Sequence, residues 1–162
     1  MFNFLKRNQP QKLDPNDVAR ALYEKFLLEE TFFDEYKKLL GYELPESFIE
    51  KATLYRAAIL LAALFAQEKK YSKLGPVRSK IESVIFGAFR QDNVDFLPIV
   101  KTTMVDWSRV VMEREPNLAI NWSRSWLSDI GLQETNPARL ATFSLMWRSH
   151  NVCVFKCLEE LA

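Results

Sequence analysis

An uninterrupted apolar run of ten residues, Ala57 to Ala66, constrains this chain more than any other feature of its sequence. Ten residues of α-helix are about 15 Å long, roughly half the thickness of the hydrocarbon core of a bilayer. The run follows Arg56 and ends before the polar stretch QEKK, so it is too short to cross a membrane. We therefore expect a helix that is covered on every side by the protein itself.

Helical periodicity extends over most of the chain. Asp14 and Asn136 each precede a proline, which is a common signature of a helix N-terminus. Gly41 and Gly131 stand where helices would end. Between these signals apolar residues recur at spacings of three and four, and no segment alternates as a strand does. The predicted helices cover approximately residues 15–40, 46–70, 77–90, 96–115, 118–130 and 137–161.

These signals predict an all-α protein with a single compact domain, residues 14–162, in which about six helices surround a central apolar helix at approximately 46–70. Residues 1–13 are predicted to be a short basic tail. The sequence leaves open whether the first helix continues through Glu29 and Glu30 or breaks there. A chain of 162 residues that is 48% hydrophobic has enough apolar material for one core.

The spacing also selects residues expected to face the core. In the predicted helix at 77–90 these residues are Val77, Ile81, Val84, Ile85 and Phe89. In the helix at 96–115 they are Leu97, Val100, Met104, Trp107 and Val111, and in the helix at 137–161 they are Phe143, Met146, Trp147, Val154 and Leu158.

Common catalytic and nucleotide-binding motifs are missing. The four glycines are too far apart for a P-loop or a dinucleotide-binding turn, and no G-x-S-x-G elbow occurs. His150 is the only histidine, so any imidazole base must be that residue. These absences favour a protein that is not an enzyme, and they predict no cofactor.

The segment HNVCVFKC, residues 150–157, is the one constellation that could bind a metal. On a helix His150, Cys153 and Cys157 share one face, and Glu160 could add a fourth ligand for zinc. The same spacing is also an ordinary buried seam, and three ligands on one straight helix rarely surround a tetrahedral ion. We therefore favour no metal site. The apolar neighbours of Cys153 predict a buried, unreactive thiol.

Aromatic residues indicate recognition of a partner. The segment NWSRSW places Trp122 and Trp126 four residues apart with Arg124 between them, a mixture that is enriched in protein interfaces. Large aromatic residues at helical spacing are more often part of the core. Our first hypothesis is a non-enzymatic helical interaction protein, an adaptor, regulator or assembly factor. It would bind a protein partner or form a homo-oligomer through these three residues or through charged regions.

Charge is unevenly distributed along the chain. The region from Leu13 to Lys51 is acidic, whereas the turn near residues 69–90 is basic through Lys69, Lys70, Lys73, Arg78 and Lys80. The two regions could meet between copies of the chain, or each could be a solvated face. The basic turn could bind an anion or a nucleic acid, although a net charge of +1 disfavours a dedicated nucleic-acid module.

A second function class is a small-molecule site or enzyme inside the bundle. Aromatic side chains and Met104 or Met146 would line its apolar pocket, with a carboxylate or His150 as the polar group. Because no secretory signal is recognised, a cytoplasmic location is expected. Residues 2–7 could touch an anionic membrane weakly.

Overall fold

The computed structural model describes residues 14–91, 96–112 and 116–162, and every regular element within these ranges is helical. The all-α prediction is therefore confirmed. The predicted tail, residues 1–13, lies outside the described part of the chain. The helices are α1 (Pro15–Tyr23), which runs into a π-helical turn (Glu24–Leu28), then α2 (Thr31–Leu40), α3 (Glu46–Glu68), α4 (Leu74–Gln91), α5 (Phe96–Met112), α6 (Pro116–Ser128) and α7 (Pro137–Leu161).

Helix α3 is the centre of the fold, as the apolar run predicts. It packs against the π turn, α4, α5 and α7, while α1 covers α4 and α6 covers α7. Leu60, Leu61 and Leu64 are buried completely or almost completely. The expectation that the apolar run is covered on every side is wrong at its end, where Phe65 is 39% exposed and Ala66 is exposed, because no helix in the described ranges fully covers that side of the last turn. Among the described residues, no helix combines the length and apolar content needed to cross a membrane.

Local sequence signals set most helix ends. The side chain of Asp14 accepts a hydrogen bond from the Asn16 amide, and Asn136 caps α7 in the same way. Gly41 ends α2 in the left-handed conformation, with φ of 81°, which a residue with a side chain adopts only at a cost. Its amide donates to the Lys37 carbonyl oxygen at 2.8 Å.

The first helical segment is interrupted, which settles the question that the sequence leaves open. The backbone becomes extended at Glu29, with ψ of 111°, and α2 begins after Glu30. The break lets α2 turn onto α7, where Tyr36 and Phe32 contact the indole of Trp147.

Some residues predicted to face the core are exposed instead. Leu97 is 55% exposed, Met104 44% and Val84 51%. In α5 the buried residues are Phe96, Val100 and Thr103, so the prediction is right at Val100, whereas Phe96 and Thr103 are buried in place of their neighbours Leu97 and Met104. Both sets have spacings of three and four, and packing against α3 decides which one turns inward. The side chains of Phe89, Trp107 and Val111 lie outside the described part of the structure.

Aromatic rings fill the core between α2, α3, α6 and α7. Tyr55 and Trp147 have ring centroids 4.9 Å apart, and Phe48 lies 5.2 Å from Trp126, both edge to face. Phe143 joins the same cluster from α7. Such pairs add roughly 0.5–1.5 kcal/mol each to the free energy of unfolding beyond their buried area.

Candidate functional site

A cavity of about 490 Å³ opens to solvent between the π turn, α2 and α7. We call it the α7 cavity. Four elements contribute to its wall, and Arg56 is the contribution of α3. Its lining residues are Lys25, Phe26, Glu29, Thr31, Phe32, Glu35, Tyr36, Arg56, Thr142, Leu145, Met146, Ser149, His150 and Cys153.

Arg56 is the unusual residue of this cavity, because it is a charged side chain that is only 1% exposed. Its Nη1 donates to the carbonyl oxygens of Leu27 at 3.5 Å and Glu29 at 3.4 Å. These carbonyls lie at the end of the π turn and in the break after it, where helical partners are missing. The guanidinium carbon also lies 4.3 Å from the centre of the Phe32 ring.

These contacts hold Arg56 without neutralising it. Within the described ranges no carboxylate forms an ion pair with it, and its buried Nε has no hydrogen-bond partner. Burial lowers the pKa of Arg56 to about 10, while the charge of Glu29 opposes that change. The guanidinium therefore stays protonated at neutral pH and places a positive charge in the cavity wall.

Two further polar groups of the α7 cavity lack partners. The Tyr36 hydroxyl and the His150 Nε2 are buried and make no hydrogen bond within the described structure. Six buried polar side-chain atoms of the described residues are in this state, and three of them belong to residues lining this one cavity. The other three belong to Trp126, Trp147 and Asn151, which do not line this cavity, so half of these atoms belong to one cavity wall.

Burial and neighbouring charge fix the protonation of these groups. Burial, together with the positive charge of Arg56, lowers the pKa of His150 to about 3, so the imidazole is neutral at pH 7. Burial raises the pKa of Tyr36 well above its ordinary value, and its hydroxyl keeps its proton. Arg56, Tyr36 and His150 therefore contribute one cation, one hydroxyl and one neutral imidazole to the cavity wall.

The remaining wall is largely apolar, and the charges near the opening balance one another. The rings of Phe26 and Phe32 lie edge to face with His150, with centroids at 6.0 and 5.1 Å. Leu145 and Met146 line the cavity from α7. The exposed carboxylates of Glu29 and Glu35 carry two negative charges at this cavity. Buried Arg56 and partly buried Lys25 carry two positive charges.

The predicted partner-binding residues occupy three different environments. Trp126 is 4% exposed and lies in the aromatic core, where the ammonium of Lys51 stands 4.6 Å from the centre of its ring. Trp122 is partly buried, and Arg124 is exposed and donates to the Asn121 side chain at 3.1 Å. Trp126 therefore has almost no surface to offer a partner, while Trp122 and Arg124 keep part of theirs.

Both tryptophans instead line a second cavity, of about 320 Å³, between α3, α5 and α6. We call it the α6 cavity. Its polar groups are largely paired: the Lys51 ammonium lies 2.8 Å from the Trp126 carbonyl oxygen and 3.0 Å from an Asp129 carboxylate oxygen. The Tyr55 hydroxyl forms a hydrogen bond with Trp122. Internal partners thus already satisfy much of this cavity.

The metal-ligand candidates do not converge. Cys153 is exposed, Cys157 is buried and His150 is partly buried, and no group of three or more such side chains within the described ranges could hold a metal ion. The expectation that Cys153 is buried is wrong, because the inward face of α7 passes through Val154 and leaves Cys153 facing the α7 cavity.

Four of the five bases in the basic turn are exposed, and one of these, Lys70, forms a hydrogen bond with Tyr71. Arg78 pairs with both Glu68 and Glu82, so it is already neutralised. The side chains of the other four bases are exposed: Lys69, Lys70, Lys73 and Lys80.

Sequence reasoning did not select Arg56, Tyr36 or Phe32 as site residues. One available signal was the position of Arg56 directly before the apolar run, since a base on a helix buried all round must have a specific partner. No comparable signal marks Tyr36, which reads as an ordinary core position.

Comparison of the chain with protein-family models, with curated proteins and with solved structures finds no match in any of the three.

Replacing Tyr36 with Phe tests whether its hydroxyl is unpaired. The Tyr36→Phe variant should keep its free energy of unfolding or gain up to about 1 kcal/mol, because it removes a buried polar group that makes no bond. The matched control is Tyr55→Phe, which loses the hydrogen bond with Trp122 and should cost about 1 kcal/mol. Urea denaturation of both variants measures the difference. An equal loss in the two variants would contradict the assignment.

His150 should make the protein less stable in acid. Its folded pKa of about 3 lies below the ordinary value of about 6.5, so below pH 6.5 the unfolded chain takes up a proton that the folded chain does not. The contribution of His150 is therefore complete above pH 6.5 and is lost progressively as the pH falls towards 3.

Between pH 7 and pH 5 this residue should remove about 1–2 kcal/mol from the free energy of unfolding. His150→Phe is the control, because it keeps an aromatic ring but cannot take up a proton. Urea titrations at both pH values should show a smaller loss for this variant than for the natural chain. The same loss in both would refute the prediction.

Proposed function

We propose that this protein binds a small organic molecule in the α7 cavity. The observation that carries the proposal is that three residues lining one solvent-open, largely apolar cavity, Tyr36, Arg56 and His150, each have a buried polar atom that makes no hydrogen bond in the described structure. This combination of apolar surface and a few oriented polar groups is typical of ligand pockets.

Energetics supports the same proposal. A buried polar group without a partner costs about 1–3 kcal/mol, and a charged group costs more. Such groups are rare in folded proteins, and their concentration at one site is explained if a ligand supplies the missing partners. The two hydrogen bonds of Arg56 Nη1 to backbone carbonyl oxygens satisfy one side of the guanidinium. The Nε–H on its other side has no hydrogen-bond partner in the described structure.

The contrast between the two cavities favours the α7 cavity. In the α6 cavity Lys51 is bonded to Asp129 and Tyr55 to Trp122, so a ligand would have to displace existing contacts. In the α7 cavity a ligand could accept or donate hydrogen bonds at three atoms that have no partner in the described structure: Tyr36 Oη, Arg56 Nε and His150 Nε2. The α7 cavity also contains Met146 and His150, which the small-molecule hypothesis named from the sequence; Met104 lies elsewhere, exposed on α5.

A cavity-filling substitution tests the proposal. We expect trans-cinnamate, a small aromatic acid, to give saturation-transfer NMR signals with the natural chain. The Ser149→Phe variant should lose them, because a phenyl group at this exposed α7 position occupies the α7 cavity.

The matched control is Ser125→Phe, which adds the same group at an exposed position lining the α6 cavity. It should retain binding. Loss of the signals with Ser125→Phe but not with Ser149→Phe would move the site to the α6 cavity. If neither trans-cinnamate nor its amide bound the natural chain, the proposal would fail.

A second candidate function is association with a protein partner or with another copy of the chain, favoured by the outer face of α5. Leu97, Met104 and Val105 are each between 44% and 55% exposed there. They lie at helical spacings of seven and eight, so they form one apolar stripe. Exposed apolar stripes of this kind are common in contact surfaces.

Sedimentation velocity tests the self-association form of this candidate. The natural chain should form a dimer whose population rises with concentration, and Met104→Lys should weaken it at least about tenfold by burying a charge. Val152→Lys on α7, where Val152 is similarly exposed, is the control. If the natural chain sedimented as a monomer at every concentration, self-association would be excluded. The variant Trp126→Ala would not test this contact surface, because Trp126 is buried and its removal would destabilise the core.

A further inference from the structure

We propose that the ligand of the α7 cavity is an organic monocarboxylate with an apolar or aromatic body, whose carboxylate is bound by Arg56. This inference rests on the proposed function and adds the chemical class of the ligand. The free edge of the guanidinium, two neutral hydrogen-bonding groups beside it and the apolar wall each contribute to it.

The geometry of the guanidinium gives the first step. Nη1 is engaged with the carbonyl oxygens of Leu27 and Glu29. Nε, which shares the other edge of the planar group with Nη2, has no partner in the described structure. That edge matches the two oxygens of a carboxylate, which accept parallel hydrogen bonds from Nε and Nη2. A neutral amide offers only one acceptor oxygen and no compensating charge.

The neighbouring groups extend the same recognition. The protonated Tyr36 hydroxyl can donate one hydrogen bond to a carboxylate oxygen, and neutral His150 can donate another when its proton is on Nε2. With Arg56 this makes three kinds of donor around one anionic group. Donors to a charged acceptor form stronger hydrogen bonds than donors to a neutral one.

The rest of the cavity selects the remainder of the ligand. Phe26, Phe32, Leu145 and Met146 supply apolar surface for a ring or a short hydrocarbon chain. The exposed carboxylates of Glu29 and Glu35 would repel a second negative charge placed at the opening. Because water screens these two exposed groups, they weaken the attraction of buried Arg56 for a single carboxylate without cancelling it.

A matched ligand pair separates this inference from the proposed function. We expect trans-cinnamate to bind at least about tenfold more tightly than trans-cinnamamide, which has the same body and no charge. Equal binding of acid and amide in the α7 cavity would overturn the carboxylate inference and leave the proposed function standing. Binding of neither would overturn both.

The Nε–H resonance of Arg56 reports the contact directly. On addition of trans-cinnamate the proton signal should move downfield in a ¹H–¹⁵N spectrum, because the proton then forms a hydrogen bond to a charged acceptor. Trans-cinnamamide should move it less. A signal that trans-cinnamate does not move, although the ligand binds, would contradict the role of Arg56.

Two variants with opposite expected effects complete the test. Tyr36→Phe should fold and bind trans-cinnamate several-fold more weakly, because it loses one donor. Glu35→Gln should bind it more tightly, because it removes a negative charge at the opening.

A third variant, Arg56→Met, should abolish the preference for trans-cinnamate over trans-cinnamamide if the variant folds. If Tyr36→Phe and Glu35→Gln left the affinity for trans-cinnamate unchanged, the inference would be refuted whether or not Arg56→Met folds.

Discussion

The burial of the middle of α3 is the constraint on which the rest of the structure depends. All seven residues from Tyr55 to Leu61 are buried, so this part of the helix is covered from every direction, and the π turn, α4, α5 and α7 all pack against α3. Arg56 lies on this helix and cannot reach bulk water. Its charge has to be accommodated inside the protein, and the interrupted first helical segment provides carbonyl oxygens for that purpose.

The break, the buried cation and the α7 cavity therefore belong to one arrangement. The extended backbone at Glu29 frees carbonyl groups that Arg56 binds, and it also redirects α2 so that Phe32 and Tyr36 face α7. The same redirection leaves space beside Arg56 and His150. A continuous first helix would leave neither free carbonyls for the guanidinium nor this opening next to it.

The two cavities differ in what their polar groups already bind. In the α6 cavity the protein supplies its own ion pair and its own hydrogen bonds, which makes the Trp122 and Trp126 region part of the folded core. Among the residues lining the α6 cavity, only Trp126 has a buried polar side-chain atom without a partner in the described structure, whereas three residues of the α7 cavity do: Tyr36, Arg56 and His150. This difference in hydrogen bonding, more than cavity size, supports the α7 cavity as the functional site.

The sequence by itself determined the helical class, the central helix and most helix ends. These features follow from local periodicity, capping residues and the length of the apolar run, as at Asp14, Gly41 and Asn136. Only the tertiary structure decided that Phe96 and Thr103 are buried in α5 in place of Leu97 and Met104, that Trp126 is core, and that Arg56, Tyr36 and His150 line one cavity. These last three residues come from three different helices, and their common cavity depends on how the helices pack, which no local pattern encodes.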